Sequence, residues 1–299
     1  VQPKYYGNEA EPRLVTVFPD PLRDPMTAHV TASWGKTWTE HYEPDSDYGR
    51  IRSLDVQGGR FHVIVDYWID GTNQVAQARL TDEAGRLVET SRRTGAYDIY
   101  GNAQVEVTPA DPKSLKRFAY YSPNDPLGRK LYEEFERRIY AGLPDERIER
   151  WRGIYTYRPG TSLVDETRLY HEDQLVRHGR TLRTIQAKEI PLRPSALAQA
   201  LGDVGWPEDT PVMESEVETG NGGRITEYRR LDDPLGRAAI RQQGSAWTVV
   251  KAWKGHSSTP QLSYRLDRDH ELVFTLRDTD RLDRFGNIEV QVTFRAGVS

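Results

Sequence analysis

Seven histidines, 45 acidic residues and no cysteine are the stock from which any active site in this chain must be drawn. The histidines are His29, His41, His62, His171, His178, His256 and His270. No two stand in an HExxH pair or at another spacing that sets two imidazoles on one helical face. His171 and His178 could meet across strands, but surface or hydrogen-bonded histidines are the expectation. Asp45-Ser-Asp-Tyr-Gly49 has oxygen donors at alternate positions before a glycine, so Asp45 and Asp47 form the calcium candidate. No glutamate closes that loop at the twelfth position, where Val56 stands, and a solvated loop is the expectation. Carboxylate pairs for glycoside hydrolysis, such as Asp66 with Asp70 or Glu166 with Glu172, can be drawn at will, and spacing selects none of them. There is no GxSxG elbow, no GxGxxG and no GxxxxGK[ST] loop. No catalytic residue, cofactor-binding residue or cofactor is therefore assigned.

Aromatic residues offer a second chemistry. Trp34, Trp38 and Tyr42, the Tyr67-Trp68 pair, and Trp247 with Trp253 could stack sugar rings. In a strand, positions 34, 38 and 42 share one face, and packing on the sheet is the expected use. Asp145–Arg152 (DERIERWR) reads as a solvated face with local ion pairs.

These residues need elements to hold them, and period-two alternation dominates. Phe61–Ile69 is the strongest strand, between Gly58-Gly59 and Asp70-Gly71. Arg152–Tyr157, Thr167–His171, Arg180–Gln186, Glu214–Glu218, Arg224–Arg229 and Ala246–Trp253 read as further strands, with Asn221-Gly222-Gly223 as a hairpin turn. Two stretches read as helices. Lys130–Tyr140 sets Leu131, Phe135 and Ile139 on one face before Gly142 and Pro144, and Ser195–Leu201 lies between Pro194 and Gly202. Asn8–Pro25, with four prolines, reads as an extended arm or edge.

An internal repeat organises the strands. Leu87–Thr108 aligns without gaps on Leu272–Thr293, and 11 of the 22 positions are identical. Asp98, Gly101 and Asn102 fall on Asp283, Gly286 and Asn287, while Tyr100 falls on Phe285. Asp125-Pro-Leu-Gly128-Arg129 recurs as Asp233-Pro-Leu-Gly236-Arg237, each copy preceded five residues earlier by a tyrosine, Tyr120 and Tyr228. In both long copies a strand leads into a tight Gly-Asn reversal and a second alternating strand follows. Such a unit has one apolar face that only stacking on neighbours can bury.

Composition limits the partners. A net charge of −4 gives no general attraction to nucleic acid, and no apolar run reaches the 18 residues of a membrane span. Only eight of the 41 basic residues are lysines, so guanidiniums paired with carboxylates and stacked on rings should clothe the sheet faces. The expected architecture is mainly β: antiparallel strand–turn–strand repeats in a curved or spiral sheet, with one or two short helices. A single continuous β-rich region over 1–299 is expected, with residues 109–114 as the place for a soft boundary. The start at Val1 reads as a processed product or a piece of a longer protein.

The repeats resemble a known family. Asp82-x-x-Gly85-Arg86-Leu87 followed by Tyr97-Asp98-x-x-Gly101-Asn102 is similar to the tyrosine–aspartate units of the Rhs/YD-repeat proteins. In the second copy Leu282 replaces the tyrosine, and Asp269-His-Glu-Leu lacks Gly-Arg. The stretches 266–292 and 165–184 are similar to the B component of bacterial toxin complexes. The resemblance implies a hollow shell enclosing a toxic polypeptide, with the tyrosines and glycines serving sheet packing and turn geometry. It implies a structural scaffold without catalysis, secreted or delivered by bacteria. Its partners would be other shell or toxin-complex components, or a toxin polypeptide. The family's self-cleavage motif finds no match here. A β-sandwich binding carbohydrate or a cell-surface partner is the alternative, and a hydrolase with unidentified carboxylates the third.

Overall fold

Residues that alternate in polarity become strands wherever one face can be buried. A computed structural model of the chain describes residues 14–17, 26–32, 35–43, 50–68, 75–111, 115–122, 125, 128–139, 144–254, 260–282 and 288–294. The protein is mainly β, antiparallel throughout the described pairings, with one α-helix among the described residues. Its first strands are β1 Leu14–Val17, β2 Thr27–Ala32, β3 Thr37–Tyr42, β4 Ile51–Val56, β5 Phe61–Trp68 and β6 Val75–Asp82. The next are β7 Leu87–Tyr97, β8 Ala103–Pro109, β9 Arg117–Tyr121, β10 Lys130–Ile139, β11 Arg147–Tyr157 and β12 Val164–His171. Then come β13 Gln174–Gln186, the helix α1 Pro194–Val204, β14 Pro211–Thr219, β15 Arg224–Arg230 and β16 Ala238–Gln243. The last are β17 Ala246–Trp253, β18 Pro260–Leu266, β19 Leu272–Leu282 and β20 Ile288–Phe294. Contacts divide the chain into two compact units. One comprises Val1–Glu136, Arg152–Val164 and Asp232–Pro234; the other comprises Arg137–Trp151, Asp165–Leu231 and Leu235–Ser299.

Within each unit the strands pair with their sequence neighbours, and the registers repeat. Strands β7 and β8 pair from Glu89↔Pro109 to Tyr97↔Ala103, and β19 and β20 from Phe274↔Phe294 to Leu282↔Ile288. Every pair of the second hairpin is a pair of the first moved by 185 residues (274 from 89, 294 from 109), including the irregularity in the middle. The same shift carries β5–β6 onto β17–β18 and β6–β7 onto β18–β19, bulge for bulge. A shift of 187 (228 from 41) carries β2–β3 onto β14–β15 and β3–β4 onto β15–β16. The finer period is six strands. The bulge of β6–β7, Leu80↔Glu89 then Thr81↔Leu87, recurs in β12–β13 as Leu169↔Arg177 then Tyr170↔Leu175. The bulge of β9–β10, Lys130↔Tyr121 then Tyr132↔Tyr120, recurs in β3–β4 and in β15–β16. Strands β1, β7, β13 and β19 thus open four successive copies.

The burial differs between copies. In the unit that carries α1, the sheet face bearing Tyr228, Ile240, Trp247, Val249 and Tyr264 is buried together with Ala196, Ala200 and Leu201 of the helix. Complete burial of a side chain as large as Trp247 stabilises by roughly 1.5–3 kcal/mol. The equivalent positions in the first copy are His41, Ser53, His62, Ile64 and Arg79. There the buried residues lie on the opposite face, and include Ala28, Val30, Val56, Ala78 and Leu80.

Most strands expected from alternation form, several with longer ends. Lys130–Tyr140 is a correction: residues 130–139 are strand β10, and Tyr140 lies outside the described residues. Leu131, Phe135 and Ile139 are four apart, a spacing that shares a face in a strand as well as in a helix. Pairing with β9 and the stacking of Tyr132 on Tyr120, 4.2 Å between centroids, favour the strand over intrinsic helix preference. Helix α1 forms where expected but begins one residue earlier, with Pro194 in its first turn. It runs past Gly202 to Gly205, whose φ of 67° ends it. Of the proline-rich arm, the described part is strand β1, which pairs with β2. DERIERWR spans a turn and the start of β11, where Arg147 pairs Glu149 at 3.1 Å.

Candidate functional site

The residues singled out by the repeat sit at chain reversals, and one device recurs there. At Asp98 the backbone N–H donates to Asn102 O (3.0 Å), and Gly101 N–H donates to Asp98 O (3.1 Å). The side chain closes the loop: Oδ1 accepts the N–H groups of Tyr100 and Asn102, both at 2.8 Å, and Oδ2 accepts Asn102 Nδ2 at 2.8 Å. Oδ2 also accepts the hydroxyl of Tyr132, at 2.8 Å. Desolvation opposes the charged form, but these four donors outweigh it and hold the Asp98 carboxyl down to about 2. Gly101 has φ 80°, a left-handed position where a Cβ is disfavoured. Asp82 repeats the pattern, taking Ala84 N–H at 2.9 Å, Arg86 N–H at 2.8 Å and Arg86 Nε at 2.7 Å. Asp125 takes Arg129 N–H at 3.0 Å and its Nε at 2.8 Å, and Gly128 N–H donates to Asp125 O at 3.0 Å. Gly128 and Gly236 share the left-handed conformation, φ 57° and 59°, and Asp233 opens the second Asp-Pro-Leu-Gly-Arg reversal.

Two expectations change at these turns. The reversal before β19 is built on Asp267, not Asp269: its Oδ1 accepts the N–H groups of Asp269 and Glu271, each at 2.9 Å. His270, φ 61°, stands where the first copy has Gly85. Its Nδ1 accepts Arg193 N–H at 2.8 Å and its ring meets Trp247 edge-on at 5.8 Å, contacts that hold a residue with a Cβ in a glycine's place. Tyr97 and Tyr100 do not pack on the sheet. They are 65% and 82% exposed at the β7–β8 tip, beside Ile99 at 91%. Sheet packing falls to Tyr120, Tyr228 and Tyr264. Asp283, Gly286 and Asn287 lie outside the described residues, as do Asp45, Asp47, Asp70 and Trp34.

The charged clusters that spacing alone missed lie across strands. On the first copy's polar face, Asp55 of β4 stands between His41 of β3 and His62 of β5. His41 Nε2 is 2.9 Å from Oδ2, and His62 Nδ1 is 2.6 Å from Oδ1. Desolvation works against the ionised carboxyl, but the two imidazole hydrogen bonds lower the Asp55 pKa overall. In the third copy Glu227 is 3% exposed beneath Arg177 (2.7 Å), Arg229 and Arg241 (3.3 Å). Burial raises its pKa and the three guanidiniums lower it by more, so Glu227 stays ionised. Glu133 is treated likewise: Lys130 at 2.8 Å and the Tyr155 hydroxyl at 2.5 Å satisfy it, and Tyr155 is pushed well above the ordinary phenol range by burial and by that carboxylate.

His171 and His178 do not meet, because the β12–β13 register sets Gln174 opposite His171 and Arg168 opposite His178. His178 Nε2 lies 2.5 Å from Glu166, and His171 stacks on Trp151 at 4.4 Å. Glu172 accepts Arg150 N–H in a turn and forms no pair with Glu166. Trp38 and Tyr42 share a face as expected, and both donate to Glu40. Trp247 is buried in the core, while Trp253 lies under the Arg237 guanidinium at 5.4 Å. Among the described residues no group of three histidine, aspartate or glutamate side chains is arranged to hold a metal ion. Asp55, Glu133, Glu166 and Glu227 each meet imidazoles, guanidiniums or hydroxyls of other strands, which is the chemistry of a cross-linked sheet. Cross-strand partners such as Asp55 with His62 follow from register; in the sequence the only trace was the repeat that fixes that register.

No family model matches the chain. Over 116 residues, 39% of its length, it is 24% identical to NLP effector protein 1 of Phytophthora capsici. The matched stretch covers 50% of that protein, so the chain spans about half the length of this curated relative.

Proposed function

We propose that this chain is a structural scaffold: a segment of an Rhs-like or toxin-complex-like protein of bacteria that encloses or presents a toxin cargo, with no catalysis of its own. In this reading the six-strand copies wind a curved or spiral sheet, and other shell components or the cargo polypeptide are the partners. The observation that carries the reading is the register repeat, in which the bulges of β3–β6 return in β15–β18 at the same pairs. Register is specified wherever one face of a sheet is buried, and its return with the same bulges supports repeated building units. The spread of ion pairs over the strands, rather than their convergence, supports a scaffold over an enzyme. The similarity to a protein named an effector supports the toxin side of the reading. Such a protein would be secreted or delivered outside the cell that makes it.

Electron microscopy of the intact parent protein tests the proposal. Hollow particles whose wall contains this segment are the expected result, and solid particles would refute it.

A further inference from the structure

One position of the repeat is treated differently in the three copies that describe it: Glu40, Ala119 and Glu227 occupy the same place on β3, β9 and β15. In the first copy Glu40 takes neutral donors, the Trp38 indole at 2.9 Å and the Tyr42 hydroxyl. In the second, Glu133 stands opposite Ala119 and together with Glu89 meets Lys130 and Arg117, two carboxylates for two cations. In the third, Glu227 alone meets Arg177 at 2.7 Å, Arg229, and Arg241 at 3.3 Å. Among the described residues these three arginines have no other ion pair. The surplus of guanidiniums is therefore a feature of this copy and not a demand of the ladder.

One carboxylate cannot satisfy the cluster. It has about four acceptor positions, and three guanidiniums bring about fifteen N–H donors. The Nε groups of Arg229 and Arg241 are buried without a hydrogen-bond acceptor. Burial lowers the Arg241 pKa, Glu227 raises it, and the charges of Arg177 and Arg229 lower it again. Register places no second acid beside them. Along β13–β18 the charged residues on this face are Arg177, Arg229, Arg241, Arg265 and Glu227. The side chains of Arg177 and Arg241 are each 36% exposed, so their donors can be reached from solvent.

We propose that Arg177, Arg229 and Arg241, held in position by Glu227, bind a phosphoryl dianion, either inorganic phosphate or a phosphate monoester. Three guanidiniums less one carboxylate leave two positive charges, and a phosphoryl group carries about −1.5 to −2 at pH 7. A single carboxylate from a partner would leave one of those charges unmatched. Guanidinium forks fit phosphate oxygens two at a time, and the site presents donors from β13, β15 and β16. Glu227 is a positioning residue: it is buried and touches the arginines, which touch the ligand. All four residues belong to one compact unit. The inference goes beyond the scaffold reading and does not depend on it.

Calorimetric titration of the 299-residue chain with inorganic phosphate, at constant ionic strength in chloride, tests the site. One site with a dissociation constant of roughly 0.1–1 mM is expected. Arg177→Gln and Arg241→Gln should each weaken binding by about tenfold or more, while Tm in chloride stays within about 3 °C because Glu227 keeps two guanidiniums. Arg168→Gln, which removes an arginine paired with Glu166 at 2.8 Å, should bind phosphate as the unaltered chain does. Phenyl phosphate separates the two sources: tighter binding of the ester assigns a phosphorylated molecule, and tighter binding of the free ion assigns inorganic phosphate. Three results overturn the proposal. They are no saturable binding up to about 10 mM phosphate, binding unaffected by both arginine substitutions, or acetate binding as tightly as phosphate, which would make a partner's carboxylate the occupant. A fall in Tm with unchanged phosphate affinity would reduce the three arginines to a folding role. None of these outcomes bears on the particle images that test the scaffold.

Discussion

The face of β2–β6 that carries His41, Asp55 and His62 and the face of β14–β18 that carries Tyr228, Gln242 and Trp247 are the same face of the same repeat. In one, a carboxylate bridges two imidazoles that stay about one-third exposed. In the other, the aromatics are buried with α1. Backbone register is conserved pair by pair while the buried side has changed. A strand has two faces of alternating residues, so the core can move from one to the other without disturbing a hydrogen bond. The hydrogen-bonded ladder and its bulges define this protein more than any one core does.

Substitutions at equivalent positions separate the two regions. Trp247→Ala removes a fully buried indole and should destabilise by about 3–5 kcal/mol, whereas His62→Ala at the matching place should lose about 1 kcal/mol. Equal losses in urea unfolding would mean that the first copy hides a core of the same kind. Glu227→Gln leaves three guanidiniums over a neutral amide and should destabilise by about 3 kcal/mol. Its counterpart Glu40→Gln, which keeps neutral donors from Trp38 and Tyr42, should lose about 1–2 kcal/mol, read from the same unfolding curves. Gly85→Ala forces a Cβ at φ 73° and should destabilise by about 1–2 kcal/mol, while His270, already at φ 61°, should tolerate alanine with loss of only its Arg193 and Trp247 contacts.

The smallest effect is in pH. Asp98 titrates at about 2 in the folded chain, below its unfolded value, so it contributes stability above about pH 4. That contribution is lost as pH falls from about 4 towards 2, and Tm measured over this range should fall less steeply in Asp98→Asn. An unchanged slope would show that the Asp98 turn is held by its backbone bonds alone.

Much of the fold was legible in the chain. Alternation located β5, β15 and β17, and the 22-residue alignment found a hairpin whose partner registers agree at every described pair. The helix misreading of Lys130–Ile139 arose because a spacing of four satisfies both periods. The displaced turn at Asp267 arose because His270 holds a glycine's conformation through contacts made by residues 77 and 23 positions away. The charged clusters were invisible for the same reason: Arg177 and Glu227 are 50 residues apart and meet only through β14.

Local pattern therefore determined the strands, the Asp-x-x-Gly reversals and the period, because alternation and turn dihedrals are properties of a few adjacent residues. Tertiary structure decided which face of each copy is buried and which carboxylate meets which guanidinium. Those outcomes depend on what lies across the next strand, and no run of neighbouring residues contains that information.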